Sequence, residues 1–296
     1  MVASLLSASV RSRVRIARQD CTRERLLSRP AMDSDGGRDH SGDALPWRRP
    51  TGAEAGGDRH GEWAVKSYIV AAVKPWNVEA FRRRTPGLPG CWHLVERRGD
   101  LTAHLVREIA PRYVFFPHWS WRVPERFLEV AECVCFHMTD VPYGRGGSPL
   151  QNLIFRRRPH TVVAALRMVA ELDAGPVYAR RPLALDGRAQ DIYERAAETV
   201  FDMIAEMITT EPAPEPQRGR VTRFGRRRPS ESVLPGQGSL AQLCDHIRML
   251  DADTYPRAFL EHGRFRLEFS HACLHDDRLE ARVTIRPRPA PRQPKR

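Results

Sequence analysis

The stretch Cys133-Val-Cys-Phe-His-Met-Thr-Asp-Val-Pro-Tyr-Gly-Arg-Gly-Gly-Ser-Pro-Leu-Gln-Asn152 constrains this chain more than any other. Residues 134–136 form an apolar run too short for a helix, and it stops at His137. A polar loop with Gly144, Gly146 and Gly147 comes next, and then a helix start: Ser148 as N-cap, Pro149 at the first helical position, and Gln151 completing a capping box. Strand, loop and helix in this order belong to open α/β sheets, in which ligands bind beyond the carboxyl ends of the strands. His137 is therefore expected at the lip of a crevice, with the glycines letting backbone come close to its occupant.

The flanking sequence extends this pattern. Residues 65–73 are rich in β-branched side chains and end at Lys74-Pro75-Trp76-Asn77, a first strand and the loop after it. Asn77 is expected to cap a helix over 78–84, and Asp100 one over 101–109 that Pro111 ends. Strands are expected at 92–95 and 113–116, an aromatic loop at 117–124 and a helical turn at 125–130. Beyond the central stretch, 149–155 reads as helix, 156–160 as a basic turn, 161–170 as strand or helix, 171–176 as a turn and 177–185 as a strand. Residues 190–208 form the clearest helix, with Ile192, Ala196, Val200, Met203, Ile204 and Met207 on one core-facing stripe. Alternating strands and helices predict a parallel, doubly wound α/β sheet with right-handed crossovers.

The ends of the chain differ in kind. Residues 1–62 are rich in Arg, Ser, Gly and Asp and offer little to bury, so they are expected to be a disordered extension. Their Arg-rich, acid-poor beginning superficially resembles a transit peptide, and a nonfunctional extension or mis-set start is the preferred reading. Residues 211–217 read as a Pro-rich linker, 221–229 as basic, 240–250 as a helix, and 264–273 and 278–285 as two strands. The expected domains are thus 63–210, a linker at 211–239, a small α+β appendage at 240–285, and a disordered basic tail at 286–296.

The formal net charge of +12 over 296 residues favours polyanionic partners, and much of it is local, at Arg156 to Arg158, Arg226 to Arg228 and the tail. None of the six cysteines sits in a CxxC pair. Cys133 and Cys135 would share one face of a strand, forming neither an ordinary disulfide nor a zinc knuckle, which points to a reducing, cytoplasmic setting. No apolar run approaches the roughly 20 residues that span a bilayer, so no membrane partner is expected.

Three motifs together carry a family resemblance. Cys135-Phe-His137, the Pro-Tyr-Gly-Arg-Gly-Gly-Ser-Pro run and Glu171-Leu-Asp-Ala-Gly-Pro-Val-Tyr resemble the catalytic domain of the formyltetrahydrofolate-dependent formyltransferases. That family includes glycinamide ribonucleotide transformylase, methionyl-tRNA formyltransferase and the formyltransferases of nucleotide-linked amino sugars. The resemblance covers about Trp63 to Met207 and implies a Rossmann-like, mostly parallel sheet.

The resemblance also implies a chemistry and its residues. His137 and Asp173 match the catalytic histidine and aspartate, while Cys135 stands where the family has asparagine. Trp121, Arg122 and Val123 fall where the folate pocket is lined, and Leu172, Ala174 and Gly175 in the loop that holds the pterin. Thr139, Tyr143, Arg145, Gly146 and Asn152, on the loop between, are the candidates for binding the acceptor.

Formyl transfer to an amine passes through a tetrahedral species whose oxygen becomes anionic, so donors must face that oxygen and a base must take the amine proton. His137, kept protonated by Asp173, would supply one donor, since a nearby opposite charge raises a histidine pKa. Asparagine would supply the second, and a thiol donates only weakly. Thr139, Asn152 or a backbone N–H is the expected substitute, and a nucleophilic Cys135 paired with His137 is the alternative.

The segment around Ile247-Arg-Met-Leu and Tyr255-Pro-Arg-Ala-Phe resembles the region after the catalytic domain in amino-sugar formyltransferases, and more loosely in methionyl-tRNA formyltransferase. It is short for the β-barrel domain of the tRNA enzyme, which ranks a phosphorylated amine on a nucleotide-linked sugar first and methionyl-tRNA second. Arginines serve either, binding a diphosphate bidentately or a tRNA backbone nonspecifically. A homodimer is the expected assembly. The rival from another class is a noncatalytic folate-binding relative that lost turnover with the asparagine.

Overall fold

The structure is a computed structural model that describes residues 17–18 and 65–288. The expected disordered extension, apart from 17–18, and most of the expected basic tail lie outside the described residues.

The main sheet is built as its β-branched and aromatic runs require. Its strands are β1 (Ala17–Arg18), β2 (Ser67–Ala71), β3 (Cys91–Val95), β4 (Tyr113–Pro117), β5 (Cys133–His137), β7 (His160–Arg167) and β8 (Val177–Ala184), in the spatial order β1-β3-β2-β4-β5-β7-β8. The short β6 (Arg145–Gly146) lies outside it and pairs in parallel with β9 (Arg223–Phe224). The pairs β2·β3, β2·β4 and β4·β5 are parallel, whereas β7 runs antiparallel to both β5 and β8. Residues 161–170, left between strand and helix by their sequence, thus supply the reversed strand. All five residues of β4 are buried, as expected for a strand covered on both faces.

Helices α1 (Pro75–Arg84), α2 (Ala103–Ile109), α3 (Glu125–Leu128), α4 (Pro149–Phe155) and α5 (Ala189–Thr210) connect the strands. The α5 stripe of Ile192, Ala196, Val200, Met203, Ile204 and Met207 is buried in the larger core cluster, beneath the sheet and beside α1. Burying each such large side chain contributes about 1.5–3 kcal/mol.

Three expected caps differ. Helix α1 starts at Pro75, and Asn77 lies within it, buried, donating Nδ2 to the Pro117 carbonyl at 3.3 Å. Thr102 rather than Asp100 caps α2, accepting from Leu105 N, while Arg98–Asp100 forms a separate 3-10 turn. Ser148 adopts φ 50° and makes no side-chain cap, because its Oγ accepts from the Arg227 N–H at 3.1 Å. Its supposed box partner Gln151 is buried, donating to Tyr193 Oη at 3.0 Å and the Met249 carbonyl at 3.1 Å.

The C-terminal part holds α6 (Leu240–Arg248) and a sheet of β10 (Ala258–His262), β11 (Phe265–Leu274) and β12 (Leu279–Pro287), antiparallel in that order. Two strands were expected here, and β10 is the third. Its sequence, Ala-Phe-Leu-Glu-His after Tyr255-Pro-Arg, shows little alternation, and pairing with β11 extends it. Ile247, Met249, Leu250, Ala252 and Ala258 enter the same core cluster as β2, β4 and α5. Buried Asp251 secures the junction: it pairs with Arg257, accepts from His271 N at 2.7 Å, and its carbonyl accepts from Gln190 N at 3.0 Å.

Candidate active site

The parallel strands β2, β4 and β5 end on one side, and the chain beyond each end, at Lys74, His118 and Met138, lines a cavity of about 800 Å³. This is the crevice expected from the strand-loop-helix pattern. His137 and Asp173 stand together in its wall, both nearly buried, with His137 Nδ1 at 3.6 Å from Asp173 Oδ2. That separation is a charge contact, too long for a hydrogen bond.

The imidazole is fixed from its other side, where Nε2 donates to the Gly144 carbonyl at 2.9 Å. Asp173 Oδ2 accepts from the Gly146 N–H at 2.8 Å, and no described protein group donates to Oδ1. A ring anchored at Nε2 and a carboxylate anchored at Oδ2 leave Nδ1 and Oδ1 for a third party in the cavity. Gly146 has φ 111°, and a Cβ there would lie 2.5 Å from the Phe224 carbonyl, so the loop can follow β9 only with glycine at this position.

Cys135 lies one pleat before His137 on the same face of β5 and lines the cavity. Burial, reinforced by the Asp173 charge, pushes its thiol well above the usual range, which disfavours the thiolate a nucleophile needs.

The cavity lining is of two chemical kinds, aromatic and cationic. Trp121, Arg122, Val123, Leu172 and Gly175 line the cavity with Trp119, which meets Trp121 edge-on at 5.0 Å. Ala174 is in the adjoining turn but does not line the cavity. Flat indole faces in a lining that includes exposed Leu172 suit a planar aromatic ligand. The same cavity is lined by Lys74, Trp76, His118, Tyr193, Tyr255 and Arg226, and Arg226 Nη1 donates at 3.2 Å to the carbonyl of Ser120, between Trp119 and Trp121. There Trp76 stacks on Tyr193 at 4.9 Å, and His118 Nε2 lies 3.2 Å from Tyr255 Oη. Burial, then the Lys74 and Arg226 charges, lower the His118 pKa to about 3. Lys74 donates to Thr254 Oγ1 at 2.7 Å, and among the described residues it has no carboxylate partner.

Of the acceptor-binding candidates, only Gly146 lines the cavity. Thr139 is fully buried, with its hydroxyl directed at the Gly144 carbonyl. Tyr143 packs edge-on against Phe224 at 5.4 Å, outside the cavity. Arg145 is buried against Gln217 and Glu171. The Asn152 amide is taken up by the carbonyls of Gly147, Ser148 and Gly225. Neither Thr139 nor Asn152 therefore faces the position beside His137 where a substitute donor is needed.

Sequence reasoning missed the cationic part of the lining. Lys74 and Trp76 were legible, since they follow the first strand as His137 follows β5, and the same crevice rule applies to both. Tyr193 and Arg226 arrive from distant segments: the basic run Arg226 to Arg228 was legible as charge but not as part of this crevice, and no local pattern marks Tyr193.

Known proteins resemble this chain in sequence and in fold. Residues 229–286 match the family model of the methionyl-tRNA formyltransferase C-terminal domain. The solved structure of a methionyl-tRNA formyltransferase from Clostridium thermocellum is 39% identical with a TM-score of 0.72, over 75% of this chain and 100% of that one. The chain belongs to the formyltransferase family. A curated methionyl-tRNA formyltransferase from Halorhodospira halophila is 27% identical over 191 residues, 61% of this chain, and the chain spans only 61% of that relative's length. A 4-N formyltransferase from Francisella tularensis shares the fold at 12% identity, with a TM-score of 0.53 over 66% of this chain and 91% of its own. Among the described residues of this formyltransferase-family chain, no helix is long and apolar enough to cross a membrane.

Proposed function

We propose that this protein transfers a formyl group from formyltetrahydrofolate to a primary amine on a phosphate-bearing carrier. The observation that carries the reading is the His137–Asp173 pair, set in the wall of one cavity that is also lined by tryptophans and by Lys74 and Arg226.

The amine nitrogen attacks the formyl carbon, and the carbonyl electron pair moves to oxygen. His137, held at Nε2 by the Gly144 carbonyl, donates from Nδ1 to that oxygen. Asp173 takes the amine proton on Oδ1 while Gly146 holds Oδ2. The oxygen's electron pair then re-forms the C=O bond as the bond to the folate nitrogen breaks, and Asp173 passes the proton it took to that nitrogen. Cys135 contributes a weak S–H donor in place of asparagine, so turnover is slow relative to relatives that keep the asparagine.

For the carrier, a nucleotide-linked amino sugar is the first reading: Lys74 and Arg226, free of carboxylate partners among the described residues, suit a diphosphate beside the cavity. Methionyl-tRNA is the second, favoured by the match of residues 229–286 and by the 39% identical relative. Incubating the full chain with formyltetrahydrofolate and either methionyl-tRNA or a panel of nucleotide-linked amino sugars tests both, with N-formyl product read by mass spectrometry. Formylation of a sugar alone supports the first, and formylation of methionyl-tRNA alone replaces it by the second.

A further inference from the structure

The turn that carries Asp173 is under two constraints. Asp173 has φ 54°, a left-handed conformation that costs a non-glycine residue free energy and persists only where the surroundings over-determine it. Two residues on, a Cβ at Gly175 would sit 1.7 Å from the Arg167 carbonyl, so the turn is pressed against the end of β7. Pressing alone does not set the turn's rotation towards His137.

Gln217 supplies what is missing. Its Nε2 donates to the carbonyls of Asp173 at 2.8 Å and Gly175 at 2.7 Å, spanning the turn. Its Oε1 accepts from Arg145 Nε at 3.1 Å and Nη2 at 2.8 Å. The residue after Arg145 is Gly146, whose N–H holds the Asp173 carboxylate. A closed ring results: Asp173 side chain, Gly146, Arg145, Gln217, Asp173 main chain. Gln217 is itself anchored, since Glu215 and Val177 exchange both backbone hydrogen bonds, at 2.7 and 2.9 Å.

We propose that Gln217 is a positioning residue that sets the Asp173 carboxylate against His137 and Gly146, and that Arg145 serves the same clamp from the opposite loop. The proposal rests on the reading of His137 and Asp173 as the reacting pair. The amide is suited to the task in a way its neighbours in shape are not. Glutamate would keep the Arg145 contact but could not donate to two carbonyls, methionine could do neither, and asparagine is one methylene short. Displacing a reacting group by about 1 Å costs about 100-fold in rate.

Gln217→Glu and Gln217→Met test this in the full chain. Both are expected to lower kcat about 100-fold with the KM for formyltetrahydrofolate changed less than about threefold. Gln217→Glu is expected to keep the wild-type Tm, because its ion pair with Arg145 offsets the lost donors. A merely structural role moves Tm and leaves kcat alone. Amide hydrogen exchange at Gly146 reports on the clamp without any acceptor, and it is expected to accelerate in both variants as the carboxylate leaves. Wild-type kcat in both variants, or unchanged Gly146 exchange, overturns the proposal. If the wild-type chain formylates no acceptor, the functional reading fails, and Gly146 exchange still decides the clamp.

Discussion

His137 Nδ1 lies 3.6 Å from Asp173 Oδ2, and that same oxygen accepts from the Gly146 N–H at 2.8 Å. The Gly146 contact fixes the carboxylate, so the histidine need not do so. Substituting Asp173→Asn keeps the shape of the side chain and removes the base. It is expected to lower kcat by about 100-fold to 10,000-fold, with formyltetrahydrofolate binding, followed by tryptophan fluorescence, unchanged. Loss of binding in step with rate would assign Asp173 to the donor site alone.

Cys135 lies in the cavity wall on the same strand face as His137, and in the proposed reaction it takes the place of the family's asparagine without that donor. One oxyanion donor is worth about 100-fold to 1,000-fold in kcat, so Cys135→Asn is expected to raise turnover towards that range. Because burial holds the Cys135 thiol up, iodoacetamide at pH 8 should label exposed Cys273 long before Cys135, as peptide mass spectrometry would show. Rapid labelling of Cys135 would revive it as a nucleophile.

His118 gives the fold a pH dependence of known sign. Its folded pKa of about 3 lies below the ordinary 6.5, so the unfolded chain binds the extra proton between those values. Stability therefore falls as pH drops through this window, by about 2 kcal/mol at pH 5, and above 6.5 the group has no effect. Asp191, Glu198 and Glu211, held below the usual carboxylate range, lose their contributions further down. Denaturant unfolding of wild type and His118→Gln at pH 7 and pH 5.5 should show the steeper loss in wild type. Equal slopes would mean that His118 is open to solvent.

Gly175 is fixed by contact rather than by turn conformation. Gly175→Ala would place a Cβ 1.7 Å from the Arg167 carbonyl, so the turn must move and carry Asp173 with it. About 100-fold lower kcat is expected, with Tm reduced as well. A variant with wild-type rate would show that the turn yields without moving the carboxylate.

Much of this architecture was legible locally. The period of α5 exposed its core stripe, the apolar runs located β2, β4 and β5, and the break at His137 marked the crevice. What escaped was set by partners far along the chain. Ser148 gives its hydroxyl to Arg227, Asn77 its amide to Pro117, and β10 exists because β11 pairs with it. The candidate site divides in the same way. His137 and Asp173 were identified from motifs and do meet, whereas Gln217 sits in a segment that reads as a linker until its carbonyl partners are seen.

The most direct test is formyl transfer by the full chain, with formyltetrahydrofolate as donor, methionyl-tRNA and nucleotide-linked amino sugars as acceptors, and His137→Ala alongside. The account predicts an N-formyl product from one acceptor class, lost in His137→Ala while the folate still binds. Formylation that survives His137→Ala, or no folate binding by the wild-type chain, would contradict it.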